Sequence, residues 1–504
     1  MEASPSQVRV NFIRKLSELL QFLEECINLS NSRGSDLRKL IRSMNFWGEY
    51  PWKSSDFSIE KKCYALKLFF LLALPARILE AIFYLVSRYF LYFFYRNTNS
   101  VNISRNPVAF FSPSTNLEEF LTRSKTGFWG ELKYLHPKLK LNTVWFLIPN
   151  KPRGISHLEF SKTLRKISHA SHFALFPLAQ YFYLKVLITT IRNVCTYHFF
   201  VSSLIARFFF NQYSDSILQI FNERNLGKGI AAIALNKSLI EVSLKKSPQL
   251  QTIIHLMEGQ PWEISLLQEA KAMDISSISV IHTPIRKLDT QILNYFITQR
   301  GEQPASYTSK VMAPGMDSAL QLKQLGLKEE KVCIVEAHRF IPFVSRGEQT
   351  YSNESKDVLF VADANIQNTI AFIQMVEELN SIEKTELNFF IQMHPASPHY
   401  ELDNFQIWEP KSPKEWGIVI FGPETTAFLQ DEYSNANIAV FVEQKRLSGS
   451  FEIFPMNFSK IHNGAQIKKF IMKPAVLNFS TTQILLKDNS FRVWRKELYE
   501  IFND

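Results

Sequence analysis

Ile418-Val419-Ile420-Phe421-Gly422-Pro423-Glu424-Thr425-Thr426-Ala427-Phe428-Leu429 reads as a buried strand, a glycine turn and the start of a helix whose first turn carries two hydroxyls. Free backbone N–H groups and the positive end of a helix dipole favour an anion at such a place, and the two threonines add side-chain donors. Gly422, Thr425 and Thr426 are therefore candidate phosphate-site residues, and Glu424 can accept from ribose hydroxyls of the same nucleotide or interact with the helix dipole. Upstream, an apolar run from Leu387 to Met393 ends in His394-Pro395, which delivers an imidazole to another strand's carboxyl edge. Two such edges side by side make a ligand crevice in an open α/β sheet.

The same strand-then-helix grammar recurs along the chain. Asp357 to Val361 is a strand followed by Ala362-Asp363-Ala364-Asn365, which adds Asp363 and Asn365 to the phosphate side, and then by an amphipathic helix to Leu379. Further back, Thr252 to Met257 leads into Glu258-Gly259-Gln260-Pro261-Trp262-Glu263, and Ser277 to Ile281 leads into His282-Thr283-Pro284-Ile285-Arg286. Strands alternating with helices imply parallel sheets covered on both faces. Glu258 or Glu263, beside a tight turn at a strand's end, suits general-base work, and His282 is a further acid–base candidate. Arg286 suits an anionic substrate. Three regions follow: a helical, basic, Phe-rich segment over 1–140, a Rossmann-like domain over 141–315 with inserted amphipathic helices, and a second Rossmann-like domain over 316–504. The strand Lys331 to Val335 is assigned to the last.

A chain of 504 residues exceeds one ordinary core. Its four cysteines form no CxxC pair, which argues against a disulfide scaffold and a zinc site. The net charge of +10 is concentrated: residues 101–210 hold 14 Lys or Arg against 4 Asp or Glu, in the Phe-rich half. Basic and aromatic residues together suit an anionic membrane surface. No helix-turn-helix, zinc-finger or RNP-type pattern points to nucleic acid. Leu68 to Tyr95 and Phe173 to Phe210 are greasy, but Pro75, Arg77, Glu80 and Arg88 interrupt the first and Lys185, Arg192 and Arg207 the second. Neither reaches the roughly 18 uncharged apolar residues of a spanning helix, so they are interfacial or core helices. Met1 to Ser30 carries charges at helical spacing and no apolar signal core. The expected location is cytoplasmic, peripherally on the inner face of the membrane. Gly227-Lys228-Gly229-Ile230-Ala231-Ala232 matches a loose dinucleotide string, but no convincing strand precedes it. There is no Walker, GxSxG, HExxH or DxD motif; metal ligands are not visible, and no cofactor is expected.

The order EGQPWE, HTPIR, APGMDS, VEAHR, FVADAN, an HP loop and GPETTAFL, over about residues 250–445, resembles bacterial surface-carbohydrate biosynthesis proteins. Their layout is similar to the two-domain GT-B glycosyltransferases, especially the CMP-sugar users: bacterial sialyltransferases and Kdo transferases of capsule and lipopolysaccharide synthesis. The resemblance implies a GT-B-like pair of Rossmann-type domains behind a helical N-terminal region. It also implies metal-independent transfer of a sugar from a nucleotide donor, CMP-linked in those relatives, to a surface polysaccharide or lipid-linked glycan. His394 and Pro395 with Thr425 and Thr426 would hold the nucleotide phosphate, and Glu258 or Glu263 would be the base. The alternatives are a sugar-nucleotide epimerase of GT-B-like fold, or a non-catalytic membrane-associated assembly protein.

Overall fold

The computed structural model describes residues 64–94, 107–114, 129, 132, 135, 143–149, 155–170, 174–208, 226–285, 292, 295–296, 303–338, 357–362, 366–382, 388–394, 406–407, 416–422, 425, 436–441, 459–472, 486, 488 and 490–503. Apolar runs buried on both faces become parallel strands, because only helices packed on each side can cover such a run. Val108–Pro113 (β1) and Thr143–Ile148 (β2) are buried at every residue. With Ala174–Pro177 (β3), Thr252–Leu256 (β4), Ser276–Val280 (β5), Lys310–Ala313 (β6) and Val332–Ile334 (β7) they form a seven-stranded sheet, ordered β3-β2-β1-β4-β5-β6-β7. All its pairings are parallel.

Alternation along the strands divides the core. Ala109, Phe111, Val144, Phe146 and Ile253 point to one face. Tyr64–Phe94 (α1), Leu184–Phe208 (α3), Gly227–Lys245 (α4) and Pro261–Ala272 (α5) cover that face. Phe110, Trp145, Leu147 and Ile254 point to the other, under His157–Ala170 (α2) and Arg492–Asn503 (α9). There Phe110 stacks on Trp145 with ring centroids 4.2 Å apart.

The second sheet comprises Asp357–Val361 (β8), Asn388–Gln392 (β9), Gln406–Ile407 (β10), Ile418–Phe421 (β11), Asn437–Phe441 (β12) and Ser459–Ile461 (β13). Its order is β10-β9-β8-β11-β12-β13, again parallel throughout. Ile366–Ile382 (α7) and Gly464–Met472 (α8) pack on it through Phe372, Val376, Ile467 and Phe470. Counted within each sheet, both run 3-2-1-4-5-6, the doubly wound Rossmann order, with one extra strand on the first. The two-sheet α/β class expected from the strand–helix alternation is therefore the observed one.

Three particulars differ from the expectation. The first sheet is wider than 141–315: it starts at Val108, inside the segment read as helical, and ends at Ile334, past the anticipated boundary. A six-residue apolar run such as Val-Ala-Phe-Phe-Ser-Pro has no periodicity to separate strand from helix. The chain's end also returns to the first sheet, where Trp494 and Leu498 of α9 join its core. Glu336, just after β7, holds that helix: its carboxylate accepts from the backbone N–H of Val493 (2.7 Å) and Trp494 (3.0 Å). Finally, the strands bearing His394 and Thr425 are not neighbours. β8 lies between β9 and β11.

The Gly227 string starts α4. The carboxylate of Glu80 from α1 sits where a Gly227 side chain would be, 2.2 Å from an ideal Cβ, and the residue has φ +51°. Its N–H donates to His198 Nε2 at 3.2 Å. This glycine serves helix packing.

Candidate active site

β4 ends at Leu256, and the chain turns through Met257-Glu258-Gly259-Gln260 into α5. Gly259, with φ 76°, occupies the left-handed region that permits the turn. Gln260 is the N-cap of α5 and Glu263 its N3 residue, in a capping box with Pro261 between them. The Glu263 Oε2 accepts from the N–H groups of Glu258 (2.9 Å) and Gln260 (3.1 Å) and from the Tyr295 hydroxyl (2.5 Å). Burial, then the neighbouring Glu258, push its carboxyl well above the usual range, against those three hydrogen bonds. Glu263 is fully enclosed and holds the turn in shape.

That turn presents Glu258. Its side chain is 23% exposed, and Oε1 lies 3.0 Å from Nε2 of His282, which is 5% exposed. His282 follows β5, the strand beside β4. Its loop is held from Met316–Gln324 (α6), where Ser318 Oγ accepts from the Ile285 N–H at 3.2 Å and Gln321 donates to the Ile285 carbonyl at 2.9 Å. A carboxylate accepting from an imidazole, with the carboxylate reaching solvent, is an acid–base pair able to move a proton. It stands one strand from the β1/β4 switch point, where open α/β sheets bind ligands. Arg286 lies outside the described residues.

In the second sheet the switch point falls between β8 and β11. Their ends are tied by Gly422 N–H to Val361 O (2.9 Å), and β8 is tied to β9 by Ala362 N–H to Gln392 O (2.9 Å). Gly422 and Thr425 are buried and His394 half-buried, so this edge carries an imidazole after β9 and a glycine turn and hydroxyl after β11, with β8 between them. Asp363, Asn365, Pro395, Glu424 and Thr426 lie outside the described residues, as does the helix expected after Thr425. Among the described residues no group of His, Cys, Asp or Glu is arranged to hold a metal ion.

Sequence reasoning missed Tyr295, which reaches Glu263 from a stretch with no strand or motif to mark it. It also missed Asp317, in the first turn of α6, whose Oδ2 is enclosed with no hydrogen-bond partner among the described residues and whose carboxyl is raised by burial. An acidic residue beside the Pro314-Gly315 turn was the available signal.

No protein-family model matches the chain, and no curated protein is similar to it in sequence. Some solved structures are similar to it at low identity. A UDP-GlcNAc 2-epimerase from Methanocaldococcus jannaschii is similar at 10% identity and TM-score 0.42, over 78% of this chain and 99% of its own. The Neisseria meningitidis UDP-GlcNAc 2-epimerase bound to UDP-GlcNAc has 11% identity and TM-score 0.39, over 78% and 98%. An Anabaena protein in complex with UDP and glucose has 8% identity and TM-score 0.37, over 79% and 100%. The assignment of two Rossmann-type units rests on the chain's own strand orders.

Proposed function

We propose that the protein acts on a nucleotide-activated sugar, with the second sheet's switch point holding the nucleotide phosphate and Glu258 serving as the base. The observation carrying this reading is the Glu258–His282 pair, 3.0 Å apart at the carboxyl edge of one Rossmann-type sheet, in a chain that repeats the same strand order in a second. In the reaction we infer, Glu258 takes the proton of an acceptor hydroxyl, whose oxygen bonds to the sugar's anomeric carbon as the nucleotide leaves. His394, Thr425, Thr426 and the Gly422 turn would stabilise the departing phosphate, Asp363, Asn365 and Glu424 would accept from the nucleotide's hydroxyls, and Pro395 would fix the turn after His394. Glu263 supports Glu258 through the turn. The donor in this proposal is a CMP- or UDP-linked sugar and the acceptor a surface or lipid-linked glycan.

The acceptor's character is supported by α1 and α3. Leu79, Phe83, Phe90 and Phe93 are exposed on the side of α1 opposite Leu74, Ala81, Leu85 and Tyr92, which are buried. The exposed face of α3 carries Leu184, Ile188 and Phe199 with Lys185 and Arg192. Apolar rings beside cations fit the interface of an anionic bilayer. No helix among the described residues is long and apolar enough to cross a membrane.

A second reading, epimerisation of the bound sugar nucleotide, is favoured by the enclosure of His282. An enclosed imidazole beside a carboxylate also suits moving a proton off and onto one bound sugar. The two readings separate by products: transfer releases nucleotide only when an acceptor is present, whereas epimerisation yields an isomer without one. The first experiment is a thermal-shift screen against CMP, UDP, GDP and CDP, since a ligand of the native state raises apparent stability. Glu258→Gln should then leave nucleotide affinity intact and slow the single-turnover step about 10²- to 10⁴-fold. A wild-type rate would remove Glu258 as the base, and no response to any nucleotide would refute the reading as a whole.

A further inference from the structure

A cavity of about 320 Å³ opens beneath α1, within the usual size of small-molecule sites, roughly 300 to 1,000 Å³. Tyr84, Arg88 and Tyr92 of α1 line one wall, Asn236 of α4 another, and His157 stands at the first residue of α2. Its floor is the end of β2, Ile148-Pro149, together with Gln260-Pro261-Trp262. Gln260 belongs to the turn that carries Glu258, so the cavity adjoins the candidate acid–base pair at the carboxyl edge of the same sheet.

Its electrostatics are one-sided. Among the described residues no carboxylate lines it. The Arg88 guanidinium donates to His157 Nε2 at 2.6 Å and lies over the Tyr84 ring at 4.8 Å from the centroid. Among the described residues it forms no ion pair. An imidazole nitrogen that accepts from Arg88 is neutral, so the half-buried cation has no counter-ion among the described residues. Burial pushes the Tyr92 phenol up, so it too stays neutral. The N-terminus of α2 is closed by its own capping box, Glu159 accepting from the Ser156 N–H at 2.9 Å and Ser156 Oγ from the Glu159 N–H at 3.1 Å, so Arg88 is the cavity's cation. Ala232, Ile233 and Leu235 of α4 add an apolar patch, and Tyr92 and Trp262 offer aromatic rings of the kind on which sugar rings pack.

We propose that this cavity binds the acceptor, and that the acceptor is a sugar carrying a phosphate or phosphodiester, its anion on Arg88 and its ring against Trp262. The assignment as acceptor rests on the transferase reading above; the binding of a sugar phosphate does not. Because α1 presents its other side to solvent through Phe83 and Phe90, a sugar phosphate on a lipid can reach the cavity along the same helix.

The test uses the full chain. Affinity is measured for glucose 1-phosphate in solution, for glucose, and for vesicles of phosphatidylcholine with phosphatidylinositol or, as a charge control, phosphatidylglycerol. Arg88→Gln is expected to weaken binding of glucose 1-phosphate or of phosphatidylinositol vesicles at least tenfold, with Arg88→Lys weakened less and UDP or CMP affinity unchanged. Preference for the soluble or the vesicle-borne probe tells a free acceptor from a lipid-linked one. Asn236→Asp, which places a negative charge on the opposite wall, is the second variant should Arg88→Gln not fold. Wild-type protein that binds neither probe, binds glucose equally well, or loses nothing in either variant overturns the proposal. Loss of the nucleotide response with sugar-phosphate binding retained would refute the nucleotide-sugar reading and leave the cavity standing.

Discussion

His255 makes the sharpest quantitative test of the first sheet. It lies wholly buried in β4, three residues before Glu258. Its Nδ1–H donates to the Leu256 carbonyl at 2.6 Å, and Ser279 Oγ, on β5, is 3.0 Å from Nε2. Burial lowers its pKa from 6.5 to about 4, the backbone hydrogen bond only partly opposing it. A histidine held neutral in the folded state stabilises the protein above the unfolded pKa. As pH falls below 6.5 the unfolded chain takes up a proton that the folded chain refuses, so stability is lost progressively until about pH 4. The whole step is worth about 3 kcal/mol, of which about 1.4 kcal/mol is lost by pH 5.5 and about 2 kcal/mol by pH 5. Urea unfolding of wild type and His255→Gln from pH 7.5 to 5 isolates this contribution, because other titrating groups cancel in the difference. The stability gap should change by about 2 kcal/mol across that range, wild type losing more. Parallel curves would show that the ring does not titrate as its burial requires, and the Ser279–His255–Leu256 hydrogen-bond chain would have to be redrawn.

Tyr295→Phe removes the hydroxyl that reaches Glu263 and should cost about 1 to 2 kcal/mol, read by chemical denaturation, while slowing any Glu258-dependent step. An unchanged stability would mean that the turn does not lean on this bond. Glu336→Ala uncaps α9 and should cost about 2 kcal/mol, with amide exchange accelerated over residues 492–503; unaltered exchange there would show that the helix is held by Trp494 and Leu498 alone. Gly227→Ala, at φ +51° against the Glu80 carboxylate, should cost about 1 to 2 kcal/mol. Gly326→Ala, at φ +102° with nothing within 4 Å, carries backbone strain without a contact, and a Gly227→Ala loss no larger than the roughly 1 kcal/mol of a left-handed alanine would deny the Glu80 contact any role.

Much of this protein is legible along the chain. Thr143–Ile148, Asp357–Val361 and Ile418–Phe421 announce themselves as strands because an apolar run bounded by turn residues has few other uses. Their alternation with helices predicts parallel sheets, since a parallel pair needs a crossover. The turn after β4 is likewise local: Gly259, Pro261 and the Gln260–Glu263 capping box act over six residues, so Glu258 is recognisable as a presented carboxylate. What tertiary structure alone decided are relations between distant segments. Two equally plausible glutamates, Glu258 and Glu263, part company only because Tyr295 arrives from outside the motif and encloses one of them. The switch points depend on strand order, which no local pattern encodes, and so the insertion of β8 between the strands of His394 and Thr425 could not be read from their spacing. The same holds for Glu336 meeting Val493 and for Arg88 meeting His157. Hydrophobic periodicity specifies which face of an element is buried, whereas the partner on that face is chosen by the packing of the whole core.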